Sequence, residues 1–196
     1  MHFLITSKTR PYSNFLKIDK IKFEYDAFEA GNTIKVPPEV LERGDSVAVL
    51  IYELDSDSLL FTKQFRPGAA EKDLKEGYED AGWLLEIPAG MIDLGEDPVQ
   101  AAIREVKEEL GYAITSCKSI AQFYVSPGGC TERIFLFYAS VKQIDKTHTG
   151  GGLLSENEDI ALVKIKKNNL AEVLENGSIR DTKTIVALQW LMLQSL

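Results

Sequence analysis

Gly90 to Tyr112, GMIDLGEDPVQAAIREVKEELGY, constrains this chain more than any other stretch. Asp97-Pro98 starts a helix: Asp97 can cap free backbone N–H groups, and Pro98 suits the first helical position because it lacks an N–H. Gln100, three residues after Asp97, offers the partner of a capping box. Gly111 is the natural stop, because glycine accepts the left-handed conformation that follows a helix end. Val99, Ala102, Ile103, Val106 and Leu110 share one face at helical spacing. Glu105, Glu108 and Glu109 crowd onto a face turned away from it, with Arg104 in reach of Glu108.

Three carboxylates this close repel one another. Either water screens them on a solvated face, the commoner outcome, or a cation sits among them. Two features favour the cation. Glu96 can lean a fourth carboxylate toward the cluster, and Gly90 lies in a tight loop able to bring a backbone carbonyl to the same place. Hard oxygen ligands with room for water suit Mg²⁺ or Mn²⁺, which hold substrate phosphates as well as protein.

The stretch resembles the Nudix box: Gly, five residues, Glu, seven residues, Arg-Glu, an aliphatic residue, any residue, Glu-Glu, any residue, Gly, an aliphatic residue. Gly90, Glu96, Arg104, Glu105, Val106, Glu108, Glu109 and Gly111 match, and Tyr112 stands where an aliphatic residue is usual. Identities at this many fixed offsets are a strong signal. The resemblance runs from about Arg43 to the carboxyl end. KQFRPG (63–68), SPGG (126–129), GGGLLSENEDI (150–160) and IVALQWL (185–191) resemble the branch of ADP-ribose pyrophosphatases and related nucleotide-sugar hydrolases. KQFRP and the GGGL stretch are also similar to UDP-sugar and GDP-mannose pyrophosphatases.

Composition bounds the partners. The 196 residues are 44% hydrophobic and 27% charged, ordinary for a globular protein, with a net charge of −8. That charge argues against a general binder of nucleic acid or of membrane surfaces, both of which call for a basic footprint. Cys117 and Cys130 form no metal pattern and read as reduced thiols. No signal-peptide layout and no membrane-length apolar run are present, so a cytoplasmic location is the expectation.

Along the chain, residues 1–44 read as a small antiparallel unit of two or three strands, closed by Pro37-Pro38 and Gly44, and residues 45–196 as the hydrolase domain. Strands are expected at Ser46–Tyr52, Ser58–Gln64, Trp83–Pro88, within Ile114–Val125, at Glu132–Val141 and at Ile160–Ile165. Residues 69–82 carry no apolar stripe and read as a loop. Helices are expected from Leu170 to Asn176 and from Asp181 to Leu196. The order of elements predicts an α/β/α sandwich with a mixed sheet, of the Nudix type, plus the small amino-terminal β unit.

The resemblance implies hydrolysis of the pyrophosphate bond in a nucleoside diphosphate sugar, ADP-ribose first, with GDP-mannose or UDP-glucose as alternatives; a non-catalytic ADP-ribose sensor is the reading from another class. It implies Mg²⁺, or Mn²⁺, held by Glu105, Glu109, the backbone carbonyl of Ala89 and Glu158. Glu156 is implied as general base, with Glu158 the other candidate, and Glu108 and Arg104 complete the catalytic set. Arg66, Met91, Ser126 and Phe28 are implied in substrate contact. For Arg104 the plain alternative is a surface i,i+4 pair, for Arg66 an exposed strand cap, and for Glu156 a solvated acidic turn. Arg133 is left outside the site, and His2 and His148 read as solvated. A homodimer is expected, each site completed by the partner's residues 1–44, where Phe15, Tyr25 and Phe28 could grip the base. Their alternation is also what a small core would give.

Overall fold

The computed structural model describes residues 1–29 and 31–194. Contacts divide them into two units. The first is Met1–Asp45 together with Phe123–Arg133; the second begins with Ser46–Gln122 and resumes at Ile134.

The first unit is a four-stranded sheet of β1 (Phe3–Ser13), β2 (Lys17–Asp26), β3 (Thr33–Val36) and β4 (Glu39–Glu42), one strand more than the alternation suggested. Both β3 and β4 pair with β2, so Pro37-Pro38 joins two strands on the same neighbour. The register of β1 on β2 slips between Thr9 and Tyr12, where Pro11 cannot donate to the ladder. Asp19 is buried at its centre. Arg10 (2.6 and 3.0 Å) and Lys8 (2.8 Å) hold it, far below the usual carboxylate range. Phe123–Arg133, within the 45–196 read from sequence as the hydrolase domain, groups by its contacts with this unit. Leu41 N–H donates to Gly129 (2.8 Å), Thr131 N–H to Leu41 (3.0 Å), and Arg133 pairs with Asp45 (2.9 and 2.5 Å).

The second unit carries a mixed sheet in the order β11 (Ala161–Lys166), β6 (Ser58–Phe65), β5 (Ser46–Glu53), β10 (Arg133–Val141), β9 (Lys118–Tyr124). Short β7 (Trp83–Glu86) adds to β6 and β8 (Ala89–Met91) to β5. Strand β5 runs parallel to β10 and antiparallel to β6 and β8. Its run SVAVLIYE is almost wholly buried, as a central strand covered on both faces must be. On one face Val47, Val49 and Ile51 join Ala101, Ala102, Val106 and Leu110 of the box helix in a single core. Ala48 and Leu50 point the other way. There α4 (Thr182–Leu193) packs on β5 and buries Ala187 and Leu188. The last two residues of the expected helix 181–196 lie outside the described residues.

Residues 69–82 are not a loop throughout: α1 spans Pro67–Glu76. Pro67 starts it, and Gly77, at φ 83°, ends it. Its one buried residue is Asp73, which accepts from Gly82 N–H (3.0 Å) and from Arg180 (2.8 Å). Polar anchoring rather than an apolar stripe holds this helix, which is why hydrophobic periodicity does not reveal it. The box helix starts as expected, with Asp97 accepting from Val99 N–H (2.9 Å) and Gln100 N–H (3.4 Å). It is α2 over Pro98–Glu105, then widens to a π-helical turn over Val106–Leu110, and stops at Gly111 with φ 79°. The turn widens the winding there, yet Glu108 stays in reach of Arg104 at the i,i+4 spacing read from sequence (3.1 Å). Tyr112 is fully buried; its hydroxyl donates to Glu53, which also accepts from Lys164 (2.7 and 2.6 Å).

Candidate active site

Strand β8 and the box helix assemble the acidic cluster. A Cβ at Gly90 would lie 1.9 Å from Glu105 Oε1, so the Glu105 carboxylate occupies space that only glycine leaves open. Arg104 uses all of its N–H groups nearby. Nε (3.0 Å) and Nη2 (3.0 Å) grip Glu96, Nη2 also reaches the Met91 carbonyl (2.9 Å), and Nη1 reaches Glu105 (2.6 Å) and Glu108 (3.1 Å). The guanidinium thus ties the loop before the helix to three glutamates, well beyond a single surface i,i+4 pair.

Glu105 and Glu109 are 6% and 2% exposed. Burial pushes the Glu105 pKa up to about 7 against the pull of Arg104, with Glu108 and Glu158 adding repulsion. Burial, then the charges of Glu105 and Glu158, push Glu109 well above the carboxylate range; the Ala89 N–H (3.2 Å) and the charge of Arg66 oppose this. Two buried carboxylates that resist ionising are short of positive charge.

The segment Gly150–Glu158 hangs on the end of the box helix. Gly151 N–H donates to Glu109 O (2.8 Å) and Gly152 N–H to Glu108 O (3.1 Å), satisfying carbonyls that a helix end leaves open. Gly150 has φ 73°, and a Cβ there would sit 2.5 Å from Glu109 O. Gly150 therefore serves close backbone approach, and Gly152, where a Cβ would lie 2.6 Å from Glu158 Oε2, leaves room for that side chain, roles that spacing alone did not disclose. Glu158 accepts from Leu153 N–H (2.9 Å), and its charge bears on Glu105 and Glu109. Glu156 is exposed on the turn Leu154–Glu156.

A second charged group lies beside the first. Arg66 Nε and Nη2 fork onto Glu86 (2.8 and 2.9 Å), which is 2% exposed and also accepts from Lys183. Lys183 in turn reaches Asp181 (3.0 Å). Burial opposes ionisation of Glu86, yet Arg66 and Lys183 hold its pKa below the usual value. Sequence reasoning named Arg66 but neither Glu86 nor Lys183. The available signal was a lone charge in each of two apolar segments, WLLEIP and TKTIVALQWL. Met91 is partly exposed on β8. Ser126 and Phe28 belong to the first unit. The Ser126 carbonyl accepts from Cys130 N–H (2.9 Å), and Phe28 is 94% exposed.

The donors around Glu105 are hard oxygens, as Mg²⁺ or Mn²⁺ requires. Among the described residues no three acidic, histidine or cysteine side chains form a ready-made cation cage. Arg104 takes one oxygen of Glu105 and one of Glu108, leaving the other of each for an incoming ion. The surplus negative charge and the donor chemistry both fit a divalent cation. No helix among the described residues is long and apolar enough to cross a membrane.

The chain is similar to proteins already known. The chain is 34% identical over 184 residues to an ADP-ribose pyrophosphatase of Haemophilus influenzae, covering 93% of this chain and 82% of that protein. It is 31% identical over 191 residues to an ADP-ribose pyrophosphatase of Escherichia coli K12, covering 96% and 87%. It is also 33% identical over 166 residues to a GDP-mannose pyrophosphatase of Salmonella arizonae, covering 85% and 83%. In fold it matches a crystal structure described as an ADP compounds hydrolase, with a TM-score of 0.73 at 17% identity over 98% of this chain and 93% of that one. The NUDIX domain family model matches residues 42–188, so the chain belongs to the Nudix family.

Proposed function

We propose that this protein hydrolyses the pyrophosphate bond of nucleoside diphosphate sugars, with ADP-ribose the first substrate, giving a nucleoside monophosphate and a sugar phosphate. The observation that carries the reading is the buried Glu105–Glu109 pair, short of positive charge, with Glu105 held by Arg104 against the backbone at Gly90 and Glu109 by the Ala89 N–H. The similarity to ADP-ribose pyrophosphatases over most of the chain supports the substrate class. Nudix hydrolases generally need a divalent metal, and Mg²⁺, with Mn²⁺ as substitute, is the ion proposed here. When bound it would neutralise pyrophosphate charge and lower the pKa of the attacking water.

In this reading Glu105, Glu109, Glu108 and the Ala89 carbonyl hold the ion. Glu158 joins them, since its charge already acts on Glu105 and Glu109. Glu156, exposed two residues away, is the group proposed to take the proton of the attacking water. Arg104 orients the glutamates. Arg66 keeps Nη1 for a phosphate oxygen while Glu86 holds its other face. Met91, Ser126 and Phe28 are proposed substrate contacts.

Similarity of 33% to a GDP-mannose pyrophosphatase favours GDP-mannose as the second reading. Incubation with ADP-ribose or GDP-mannose in Mg²⁺, followed by detection of AMP or GMP, decides between them. Binding of ADP-ribose with no AMP formed would instead establish a sensor.

A homodimer is part of the proposal. All eleven residues of β1 are exposed, among them Phe3, Leu4, Ile5 and Tyr12, and such an edge invites pairing with a second copy. Light scattering at micromolar concentration, with and without residues 1–36, tests it. Two free cysteines and a nucleotide substrate fit a cytoplasmic location.

A further inference from the structure

Helix α4 opens on charge, although most of its length is apolar. Asp181 caps it, accepting from Thr184 N–H (3.0 Å) and from the Thr184 hydroxyl (2.6 Å). Thr184 is fully buried and accepts in turn from Ile87 N–H (2.9 Å). Lys183 is buried too. Its ammonium bonds Asp181 (3.0 Å) and Oε2 of Glu86, the residue before Ile87. The bonds therefore close a ring, from Glu86 through Lys183, Asp181 and Thr184 back to Ile87. Its strand end is fixed as well: Thr62, paired with Glu86 between β6 and β7, donates its hydroxyl to the Glu86 carbonyl (3.2 Å).

The ring decides how Glu86 meets Arg66. A guanidinium can grip a carboxylate side-on, through Nε and Nη2, or end-on, through both Nη groups. Only the side-on grip leaves Nη1 over, and that is the grip observed. Nε donates to Oε1 (2.8 Å) and Nη2 to Oε2 (2.9 Å), with Nη1 unbonded among the described residues. Oε2 is shared between Arg66 Nη2 and the Lys183 ammonium, so the carboxylate is held from two sides against turning. The alternative matters, because the charge of Glu109 also acts on Arg66. An Arg66 released from Glu86 would be drawn to Glu109, whose side chain has only the Ala89 N–H as partner (3.2 Å) among the described residues. Stability gives no equal reason for Lys183, since buried ion pairs typically contribute no more than apolar residues packed in their place.

We propose that Lys183, held by Asp181, is a positioning residue for the hydrolysis: it fixes Glu86 so that Arg66 presents Nη1 to a substrate phosphate and stays clear of Glu109. The inference rests on the proposed nucleotide-sugar hydrolysis and adds which residues aim Arg66.

Lys183→Met removes the ammonium and keeps an unbranched chain in the buried space. Asp181→Asn keeps a good helix cap and weakens the hold on Lys183. Each is made alone and together with Arg66→Ala. KM and kcat for ADP-ribose are measured in saturating Mg²⁺, and the Kd of uncleaved ADP-ribose by calorimetry in EDTA. Loss of a charge-assisted contact predicts a roughly tenfold rise in KM and Kd for Arg66→Ala and for Lys183→Met, and a severalfold rise for Asp181→Asn. With Arg66→Ala already present, neither second change should weaken binding further. A merely structural Lys183 would instead lower the active fraction, and so kcat, at unchanged KM. Unchanged KM and Kd in Lys183→Met, or in Asp181→Asn should Lys183→Met not fold, would overturn the positioning role alone. So would an Arg66→Ala that binds normally, or an equal loss with and without Arg66. A wild type that cleaves no nucleotide sugar would overturn the hydrolase reading and this inference with it.

Discussion

Two clusters around buried glutamates sit in the same unit, and those glutamates titrate in opposite directions. Around Glu86 the charges balance: Glu86 and Asp181 face Arg66 and Lys183, and the Glu86 pKa is held low. Around Glu105 they do not. Arg104 bonds Glu96, Glu105 and Glu108, while Glu109 and Glu158 have only backbone N–H donors among the described residues, and the pKa values of Glu105 and Glu109 are pushed up. Burial acts on both groups alike. What differs is whether the chain supplies the counter-charge itself. The first group is a finished piece of scaffold, and the second is built to be completed from outside by a cation and, through it, by phosphate.

The contrast breaks most visibly in turnover. Glu109→Gln keeps the shape of the side chain and removes a proposed cation ligand. It should lower kcat for ADP-ribose by about a hundredfold or more, since even residues behind the ligands typically cost ten- to a hundredfold. Near-normal kcat at saturating Mg²⁺ would remove Glu109 from the site.

Glu86→Ala attacks the balanced group. It leaves Arg66 without its carboxylate and Lys183 with Asp181 alone, a change that typically costs about 3 to 5 kcal/mol. Chemical denaturation should show that loss equally with and without Mg²⁺. A loss that Mg²⁺ repairs would mean Glu86 belongs with the cation ligands.

The pH dependence of the metal-free protein separates the groups by sign. Glu105 rises from an ordinary value near 4.5 to about 7 on folding. The folded state therefore keeps a proton that the unfolded chain has lost, and stability falls as pH rises from 4.5 to 7, by about 3 kcal/mol for this group. Glu86, with a depressed pKa, acts oppositely: its contribution is present above its unfolded value and is lost as pH falls through the lower folded value. Urea unfolding between pH 4 and 8 should show both limbs, and Glu105→Gln should flatten the upper one only. An upper limb unchanged in that variant would contradict the assignment.

A smaller effect is expected where a buried acid is already satisfied. Tyr112→Phe removes one donor from Glu53, which keeps Lys164 and Ser56. A destabilisation of about 1.5 kcal/mol is expected in denaturant titration.

The same contrast explains what could be read from sequence. The acidic cluster was legible because its members lie within one helix and its entry loop, where spacing alone decides who meets whom. The helix start at Asp97-Pro98 and its stop at Gly111 were legible for the same reason. The π turn at Val106–Leu110 was not, because it changes the winding without changing the residue types. Arg66, Glu86 and Lys183 meet across separations of 20 and 97 residues, which no local pattern encodes. Helix α1 was missed because Asp73 and Arg180, 107 residues apart, hold it in place of an apolar stripe. The contacts of Phe123–Arg133 with residues 1–45 were not legible because its backbone bonds to Leu41 carry no side-chain signature.

Thermal unfolding of wild type and of Glu105→Gln/Glu109→Gln, each with and without millimolar Mg²⁺ at pH 8, tests the claim that the acidic cluster is completed by a cation. Binding to the folded state alone raises stability by mass action, about 2.7 kcal/mol at a hundred times the Kd. The account predicts that Mg²⁺ raises the wild-type Tm by several degrees. It also predicts a double variant more stable than wild type without Mg²⁺ and unmoved by it. A wild-type Tm indifferent to Mg²⁺ and Mn²⁺, or an equal rise in the double variant, would contradict it.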